Sequence, residues 1–564
     1  MSLFRLYIII IILLIFPTDT IHSSITSPKR ETRAVWIATI KGLDWPTSYA
    51  NSPDGIERQK NELRCLLDSL QKIHINTILL QTRIRGTVIY PSEFEPWDEC
   101  FTGIPGKAPG YDPLDFAVTE CHKRGMELHA WIVAFPLKDT KTMQKLGKNG
   151  LLHTHPELCK RTSTGWIMDP GVPGTAPYLA KMCEEVVRNY DIDGIHLDYI
   201  RYPEKELKFD DRQTYRKYGH KKPLSQWRRD NVTTCMETIR RSIKAQKPWI
   251  KISCAPIGKA SDLSRYSSYG WNAYHTVHQD AQGWLKQDLV DILFPMMYFK
   301  DHHFYPFALD WAEQSDGKPV IPGLGVYQID QCERNWPLQT LTQEIDFLRN
   351  IHSGGQAYYR CRFLTKDTKG IYRFLQSFYT HPALTPVLPR ETSRTVPCPT
   401  DLSLECSADR LRLKWKAPAT RPDVRYNIYV SDSYPVDTDN PKNLKAAALW
   451  DEQHSFPLPY ALATNRYYAM TASDRYGNES EAIAFNHPRA KQQPHDSQCL
   501  PCADNRIILP HTDGQRIYVT DAVGRTTEFT YRDTLDVSAL RPGFYRLKIE
   551  KAEQARIPLG YFLK

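Results

Sequence analysis

Residues 191–203, DIDGIHLDYIRYP, crowd three carboxyls, an imidazole, two phenols and a guanidinium into thirteen positions. Such a run can hold and transfer protons. Read as a buried strand, it alternates Gly194, His196 and Asp198 on one face with Ile195, Leu197 and Tyr199 on the other. The second set is apolar enough to pack on helices. The first ends in a carboxyl where the strand runs out into Arg201, Tyr202 and Pro203. A carboxylate at the C-terminal end of a strand in a βα protein stands where such folds build their active sites. Asp198 is therefore the first candidate for a catalytic carboxyl, against the plainer role of a loop cap or a partner for Arg201. His196, one layer deeper, reads as a residue that orients its neighbour. Asp193 begins the strand at the opposite end and is assigned no chemistry.

The elements that must position Asp198 alternate along the chain. Strand-like runs fall at 33–40, 77–84, 127–134, 191–198, 251–257, 291–298, 319–327 and 355–360. Helix-like stretches separate most of them, at 56–73, 113–124, 176–189, 224–247, 277–286 and 338–351, with a closing helix at 369–379. Eight βα units in about 350 residues predict a (β/α)8 TIM barrel, an α/β fold, over 30–381. A doubly wound open sheet is the rival, but no Gly-rich phosphate fingerprint follows the first strand.

In a barrel the loops after the strands form the working face. Asp44, Trp45, Arg83, Tyr90, Glu93, Trp131, Asp198, Tyr202, Tyr298, Asp301 and Tyr327 all fall at or just after strand ends. The set is rich in carboxyls and rings and lacks a Cys/His/Asp metal cluster, so no metal and no cofactor are expected. Sugars offer C–H faces to rings and hydroxyls to carboxylates and Arg, and glycosidic hydrolysis uses two carboxyls flanking the bond. Asp301 and Asp169, the latter in the loop 166–171, are the candidates for the second acid, with Asp44 and Glu93 behind them. Trp45, Trp131 and Tyr298 are candidate sugar platforms. Arg83, His196 and Tyr202 complete the expected substrate contacts, with Arg83 as readily a partner that keeps a neighbouring acid ionised. A substrate N-acetyl group in place of a protein nucleophile would remove the need for a second acid.

At 564 residues the chain exceeds one core. Its +9 charge is spread without a long basic block, which argues against nucleic acid. The 31 Tyr and 13 Trp supply many flat faces. Arg5 followed by an apolar run at 6–16 and small polar residues reads as a secretory signal over 1–24, too short to span a bilayer. The mature protein is expected outside the cytoplasm, secreted or periplasmic, with cell-surface association as a further option and no integral span. The 13 Cys are scattered. Cys499 and Cys502 form a lone C-x-x-C that reads as a local disulfide or two free thiols rather than a zinc site.

The barrel region resembles the glycosyl-hydrolase-like family 10 of the bacterial envelope. The segments that carry this are RAVWIATIKGLDWPTS (33–48), LLQTRIRGTVIYPSEFEPW (79–97), GYDPLDFAVTECHKRGMELHAWI (110–132), NYDIDGIHLDYIRYP (189–203), QWRRDNV (226–232) and LVDILFPMMYF (289–299). The resemblance implies a barrel and a secreted or periplasmic hydrolase of polysaccharide, with peptidoglycan glycan strands lacking stem peptides as one substrate of its members. A catalytically decayed barrel that binds or scaffolds carbohydrate is the alternative. Two departures bear on the site. Where the family pairs two acids after the fourth strand, Asp198 is followed by Tyr199. The family's Asn-Pro after the third-strand Trp is replaced in Trp131-Ile-Val-Ala-Phe135.

A Pro-rich linker over 382–397 precedes short alternating strands over 398–488. There YYAMTASDRYGNES (467–480) resembles a fibronectin type III module, and Trp415 with Tyr467 would form its β-sandwich core and tyrosine corner. The tail at 503–564 reads as a small β domain that resembles C-terminal sorting domains.

Overall fold

The computed structural model describes residues 27–219, 221–266, 268, 270–388, 395–407, 410–418, 424–450, 455–458, 466–485, 500, 502–509, 516–521, 524–530, 532, 534–550 and 556–564. The expected signal segment 1–24 and Cys499 lie outside them. Strands β1 (Thr32–Ile37), β2 (Thr77–Arg83), β3 (Glu127–Val133), β4 (Gly194–Asp198), β5 (Lys251–Cys254), β6 (Ile292–Leu293), β7 (Gly323–Gly325) and β8 (Gly355–Tyr359) alternate with helices. The helices are α1 (Pro53–Lys72), α2 (Pro113–His122), α3 (Thr175–Asn189), α4 (Leu224–Gln246), α5 (Ala281–Lys286), α6 (Tyr305–Glu313), α7 (Leu338–Asn350) and α8 (Ile371–Phe378). All the strand pairs are parallel, in the order β6-β5-β4-β3-β2-β1-β8-β7. The two ends of that order meet through bridges Leu293–Val320 and Met296–Gly323, and the Ile321 N–H donates to the Leu293 carbonyl at 2.8 Å. The sheet is a closed, TIM-barrel-like cylinder.

Local chemistry explains where the elements start and stop. Ser52 caps α1 by accepting from the Gly55 N–H at 3.1 Å, with Pro53 in the first turn and Leu63, Leu67 and Leu70 buried along one stripe. Asp112 caps α2 in the same way. Strands β6 and β7 are far shorter than their apolar runs predict, because Pro295, Pro319 and Pro322 have no N–H for the ladder. Helix α6 was not among the expected helices, and it carries Pro306. That proline sits in the first turn, where a missing N–H costs nothing.

Inside the cylinder the inward residues of the strands fill the cross-section with rings and small residues. Trp36 meets His196 at 5.8 Å and Phe294 at 6.0 Å, edge to face. Glycines opposite make the room. A Cβ on Gly194 would lie 2.6 Å from the His129 ring, and one on Gly323 would lie 2.9 Å from the Trp36 ring. Outward residues such as Val35, Ile78, Ile195 and Leu197 pack under the helices.

Beyond the barrel, β9 (Thr400–Ser407), β10 (Arg410–Lys416) and β13 (Ser455–Leu458) form one antiparallel sheet. A second contains β12 (Leu444–Leu449), β11 (Arg425–Ser431), β14 (Tyr467–Ser473) and β15 (Ile483–Phe485). The two share an apolar cluster that includes Leu413, Trp415, Tyr426, Ile428, Tyr468 and Met470. Tyr467, expected in that core, lies instead on the opposite face with Leu384 and Tyr429, because alternation along β14 gives the inner place to Tyr468. A further pair of antiparallel sheets, of three and four strands, spans 502–563 around Ile507, Ile517, Val519, Leu547 and Ile549. No helix among the described residues is long and apolar enough to cross a membrane.

The first of these β units is fixed to the floor of the barrel, where the strands begin. Asp193, just before β4, accepts from the Leu128 N–H at 2.8 Å and from the His122 ring at 2.9 Å. Arg425 of β11 reaches it at 2.5 Å and Arg475 at 3.3 Å. Burial alone would raise the Asp193 pKa. The Arg425 guanidinium, with His122 and Arg475, outweighs burial and holds the carboxyl well below the usual range. Alongside, Gly125 meets the module so closely that a Cβ would stand 2.2 Å from the Ala447 carbonyl oxygen. Two consequences follow for stability. Arg425→Ala leaves the buried Asp193 charge short of its main partner and is expected to cost about 3–5 kcal/mol in guanidinium denaturation. Because the folded pKa is depressed, the Asp193 contribution is complete above about pH 4 and is lost as pH falls below it, so acid titration of Arg425→Ala should show a shallower loss than the parent.

Candidate active site

Asp198 ends β4 at the rim, and its surroundings are built by three neighbouring strands. The Trp131 Nε1–H, from β3, donates to Oδ2 at 3.1 Å, and the Tyr199 N–H donates to Oδ1 at 2.7 Å. The Arg201 Nη1 stands 4.0 Å from Oδ1. Burial pushes the Asp198 pKa up; Arg201, the two N–H donors and Arg85 oppose it without cancelling it. The shift is in the direction a general acid needs.

A cavity of about 260 Å³ opens over this carboxyl, lined by Trp131, Tyr199, Tyr298, Tyr359, Gln81 and Arg85 among others. Tyr298 and Tyr359 stack on each other at 5.3 Å with planes 23° apart, and both line the cavity. Burial and the neighbouring Tyr359 hold the Tyr298 phenol well above its usual pKa, so it remains a neutral hydroxyl donor. A second cavity of about 370 Å³ shares Ile40, Arg85 and Tyr199 with the first and adds Arg201, Tyr202 and Glu204. A third, of about 740 Å³, shares Lys41 and Glu99 with the second and reaches Asp44 and Arg362. The three form a chain across the open end of the barrel.

Tyr199 departs from the strand alternation. The strand stops at Asp198, and Tyr199 takes a left-handed backbone, φ 51°, that turns its ring to the cavity instead of the outer face. Arg85 after β2 and Lys41 after β1 adopt the same conformation at φ 54°. For bulky residues this region costs about 1–3 kcal/mol each, and such strain gathers at functional rims.

The other expected site residues divide. Trp131, Tyr298 and Asp198 line one cavity, and Tyr202 lines the next. Tyr202 is nearly all ring packing, its hydroxyl taken by the Asn231 side chain at 2.9 Å. His196 lies below the cavity. Its Nε2 faces the Trp36 N–H at 3.1 Å and its Nδ1 the Ser253 hydroxyl at 3.0 Å, and burial keeps it neutral.

Four of the expected site residues stand apart from the cavity over Asp198. Arg83 is fully buried, bound to Glu95 through Nε at 2.8 Å and to the carbonyls of Val133 and Ala134, so it ties loops together and lines none of these three cavities. The register shift in β2 between Gln81 and Arg83 turns it away. Trp45 is core: its Nε1–H donates to the Gln59 carbonyl at 2.8 Å and its ring meets Phe101 edge-on. Asp169 is buried, accepting from the Thr214 hydroxyl at 2.6 Å and the Gly171 N–H at 2.9 Å, and organises its own loop. Asp301 is 66% exposed beside Lys300 and outside the cavities. Of the trailing pair, Asp44 is held by Arg360 at 2.8 Å and by the Ala38 and Arg362 N–H groups, and Glu93 is exposed. Among the described residues, Asp198 is the one carboxyl that lines its own cavity.

Tyr359, Gln81 and Arg85 had gone unnoticed. The paired Tyr358 and Tyr359 at the end of the eighth strand-like run carried the signal, because alternation must turn one of them inward. Tyr358 went to the helix layer and Tyr359 to the cavity.

Comparison with known proteins places this rim in a family. The chain is 30% identical over 484 residues to "Glycosyl hydrolase YngK" of Bacillus subtilis, covering 80% of this chain and 92% of that protein. It is 32% identical over 286 residues to "Glycosyl hydrolase DigH" of Escherichia coli, covering 47% of this chain and 65% of that protein. Among solved structures, the PgaB (BpsB) glycoside hydrolase domain of Bordetella bronchiseptica aligns with 62% of this chain and 99% of its own at 14% identity and a TM-score of 0.44. The family described as Glycosyl hydrolase-like 10 matches residues 31–338, the part of the chain that contains β1 to β7 and the Asp198 rim. The chain belongs to that family, and is an enzyme of the glycoside hydrolase class.

Proposed function

We propose that the protein is an exported glycoside hydrolase that cleaves glycosidic bonds in a bacterial envelope or extracellular polysaccharide, with Asp198 as general acid. One observation carries the reading: a buried carboxyl, its pKa raised by that burial, beneath a cavity lined by Tyr298 and Tyr359. A sugar ring held in that cavity brings its linkage oxygen to Asp198. The acid gives its proton to that oxygen, and the leaving sugar departs as an alcohol. Trp131 fixes the carboxyl orientation, and the neutral Tyr298 hydroxyl is free to hold a sugar hydroxyl.

The nucleophile we assign is the 2-acetamido oxygen of the substrate itself, because no other carboxyl among the described residues lines the cavity at Asp198. The resulting ring is opened by water, whose proton returns to the Asp198 carboxylate. Peptidoglycan strands stripped of stem peptides are a substrate of this kind. The same lone carboxyl favours a second reading, a decayed barrel that binds glycan without cutting it. The units downstream fit accessory roles: a fibronectin type III-like β-sandwich over 398–488 and a small β domain over 503–564, behind a signal segment at 1–24.

A polysaccharide panel separates the two readings, since release of reducing ends from any member excludes the decayed barrel. Asp198→Asn should lower kcat by about a hundredfold to ten-thousandfold with the fold intact by circular dichroism; an unchanged rate rejects the role. The general acid must be protonated, so kcat/KM should fall as pH rises through the Asp198 pKa. That limb should lie above the ordinary aspartate value of about 3.9. In Trp131→Phe the ionised form loses one N–H donor, and the limb should move up by about one unit. De-N-acetylated glycan should not be cut if the acetamido group is the nucleophile.

A further inference from the structure

Arg201 is 5% exposed, yet its Nε and Nη1 have no hydrogen-bond partner among the described residues. Leaving a buried donor unpaired costs about 1–3 kcal/mol, and native structures seldom do so without a reason. The contacts Arg201 does make are partial. Nη2 reaches Glu204 at 3.4 Å, Nη1 stops 4.0 Å short of Asp198, and the guanidinium lies over the Tyr199 ring at 4.1 Å. This arrangement holds the cation in place beside Asp198 while leaving two donors unspent.

The cavity beside Arg201 is lined by four acids and four cations, and two of those cations stand without a partner among the described residues. Arg201 and Arg85 line the same cavity, and Arg85 also lines the one over Asp198. No ion pair or hydrogen bond is assigned to the Arg85 or Lys41 side chains among the described residues. The acids of that cavity are engaged already: Asp98 and Glu99 by Lys138, Glu204 by Arg201, and Asp139 by Thr142. A neutral sugar would leave Arg201 with Glu204 as its one hydrogen-bonded anion, whereas a carboxylate offers planar oxygens that the spare guanidinium donors meet in pairs.

We propose that Arg201, seconded by Arg85, is a specificity-determining anion receptor that takes a carboxylate carried by the sugar next to the bond poised at Asp198, so that the ligand is an acidic glycan. Cleavage of that bond rests on the hydrolase reading; the binding of the carboxylate does not. Filling the receptor also acts on the reaction. Arg201 and Arg85 favour the ionised form of Asp198, and a bound carboxylate offsets both cations, so the correct substrate helps to keep the proton where the acid needs it.

The test is calorimetric titration of the full-length protein with peptide-free peptidoglycan strands, pectate and alginate, each before and after reduction of its carboxyls to alcohols. At least one carboxylated form should bind, and reduction should weaken it by about tenfold or more. Arg201→Gln should weaken the carboxylated form by about ten- to hundredfold and leave the reduced form unchanged. Arg201→Lys should not restore it, because an ammonium lacks the planar fork. Arg85→Gln, at an exposed position, should move affinity in the same direction by a smaller factor, and it decides the matter if Arg201→Gln does not fold. Equal affinity for carboxylated and reduced glycans, equal loss on both in the variants, or no binding to any carboxylated member overturns the proposal. Reducing-end release is read separately: carboxylate-dependent binding without cleavage rejects the hydrolase reading and leaves this one standing.

Discussion

Denying water to one carboxyl is the constraint on which the rim of this barrel depends. Asp198 closes a strand at a depth where its charge has little solvent, and protein donors must stand in for it. It receives two N–H groups and one guanidinium held at arm's length. Hydrogen bonds to a charged group are worth about 1.5–3 kcal/mol each, and here they fall short of the desolvation they oppose. A closer Arg201 would weigh further against that burial. The 4.0 Å gap therefore counts as part of the site as much as the acid does.

The depth of that carboxyl is set from below. Trp36, His196, His129 and Phe294 are too large to share one cross-section of a cylinder with eight ordinary side chains, and they fit only because Gly194 and Gly323 withdraw. The ring layer is also polar where it must be. His196 spends both nitrogens on Trp36 and Ser253, so it adds no charge beneath Asp198. Packing and electrostatics thus agree on the same residues, and the stacked pair of Tyr298 and Tyr359 rests on this support.

Much of the barrel was legible because period-two runs and period-3.6 runs alternate cleanly, and Gly194, His196 and Asp198 could be assigned a common face before any coordinates. What escaped was direction after the strand ends. Arg83 and Trp45 have the right chemistry at the right ends of strands, but a register shift turns one toward Glu95 and the following loop folds the other under Phe101. Tyr199 was placed outside by extrapolating a strand that stops one residue earlier at a left-handed turn. Asp169 and Asp301 lie on loops, where distance to Asp198 depends on the whole chain path and no periodicity reports it. Helix α6, with Pro306 in its first turn, also went unread.

The floor contacts carry one more meaning. Asp193, Asp191 and Gly125 hold the β11–β14 sheet at the end of the cylinder where strands begin, opposite the end where Asp198 stands. A joint built from two guanidiniums and a backbone-tight approach does not swivel freely. Any surface or scaffold that gripped the module would present the mouth of the barrel away from itself, toward whatever polymer drifts past, so the pedestal aims the tool without ever touching the work.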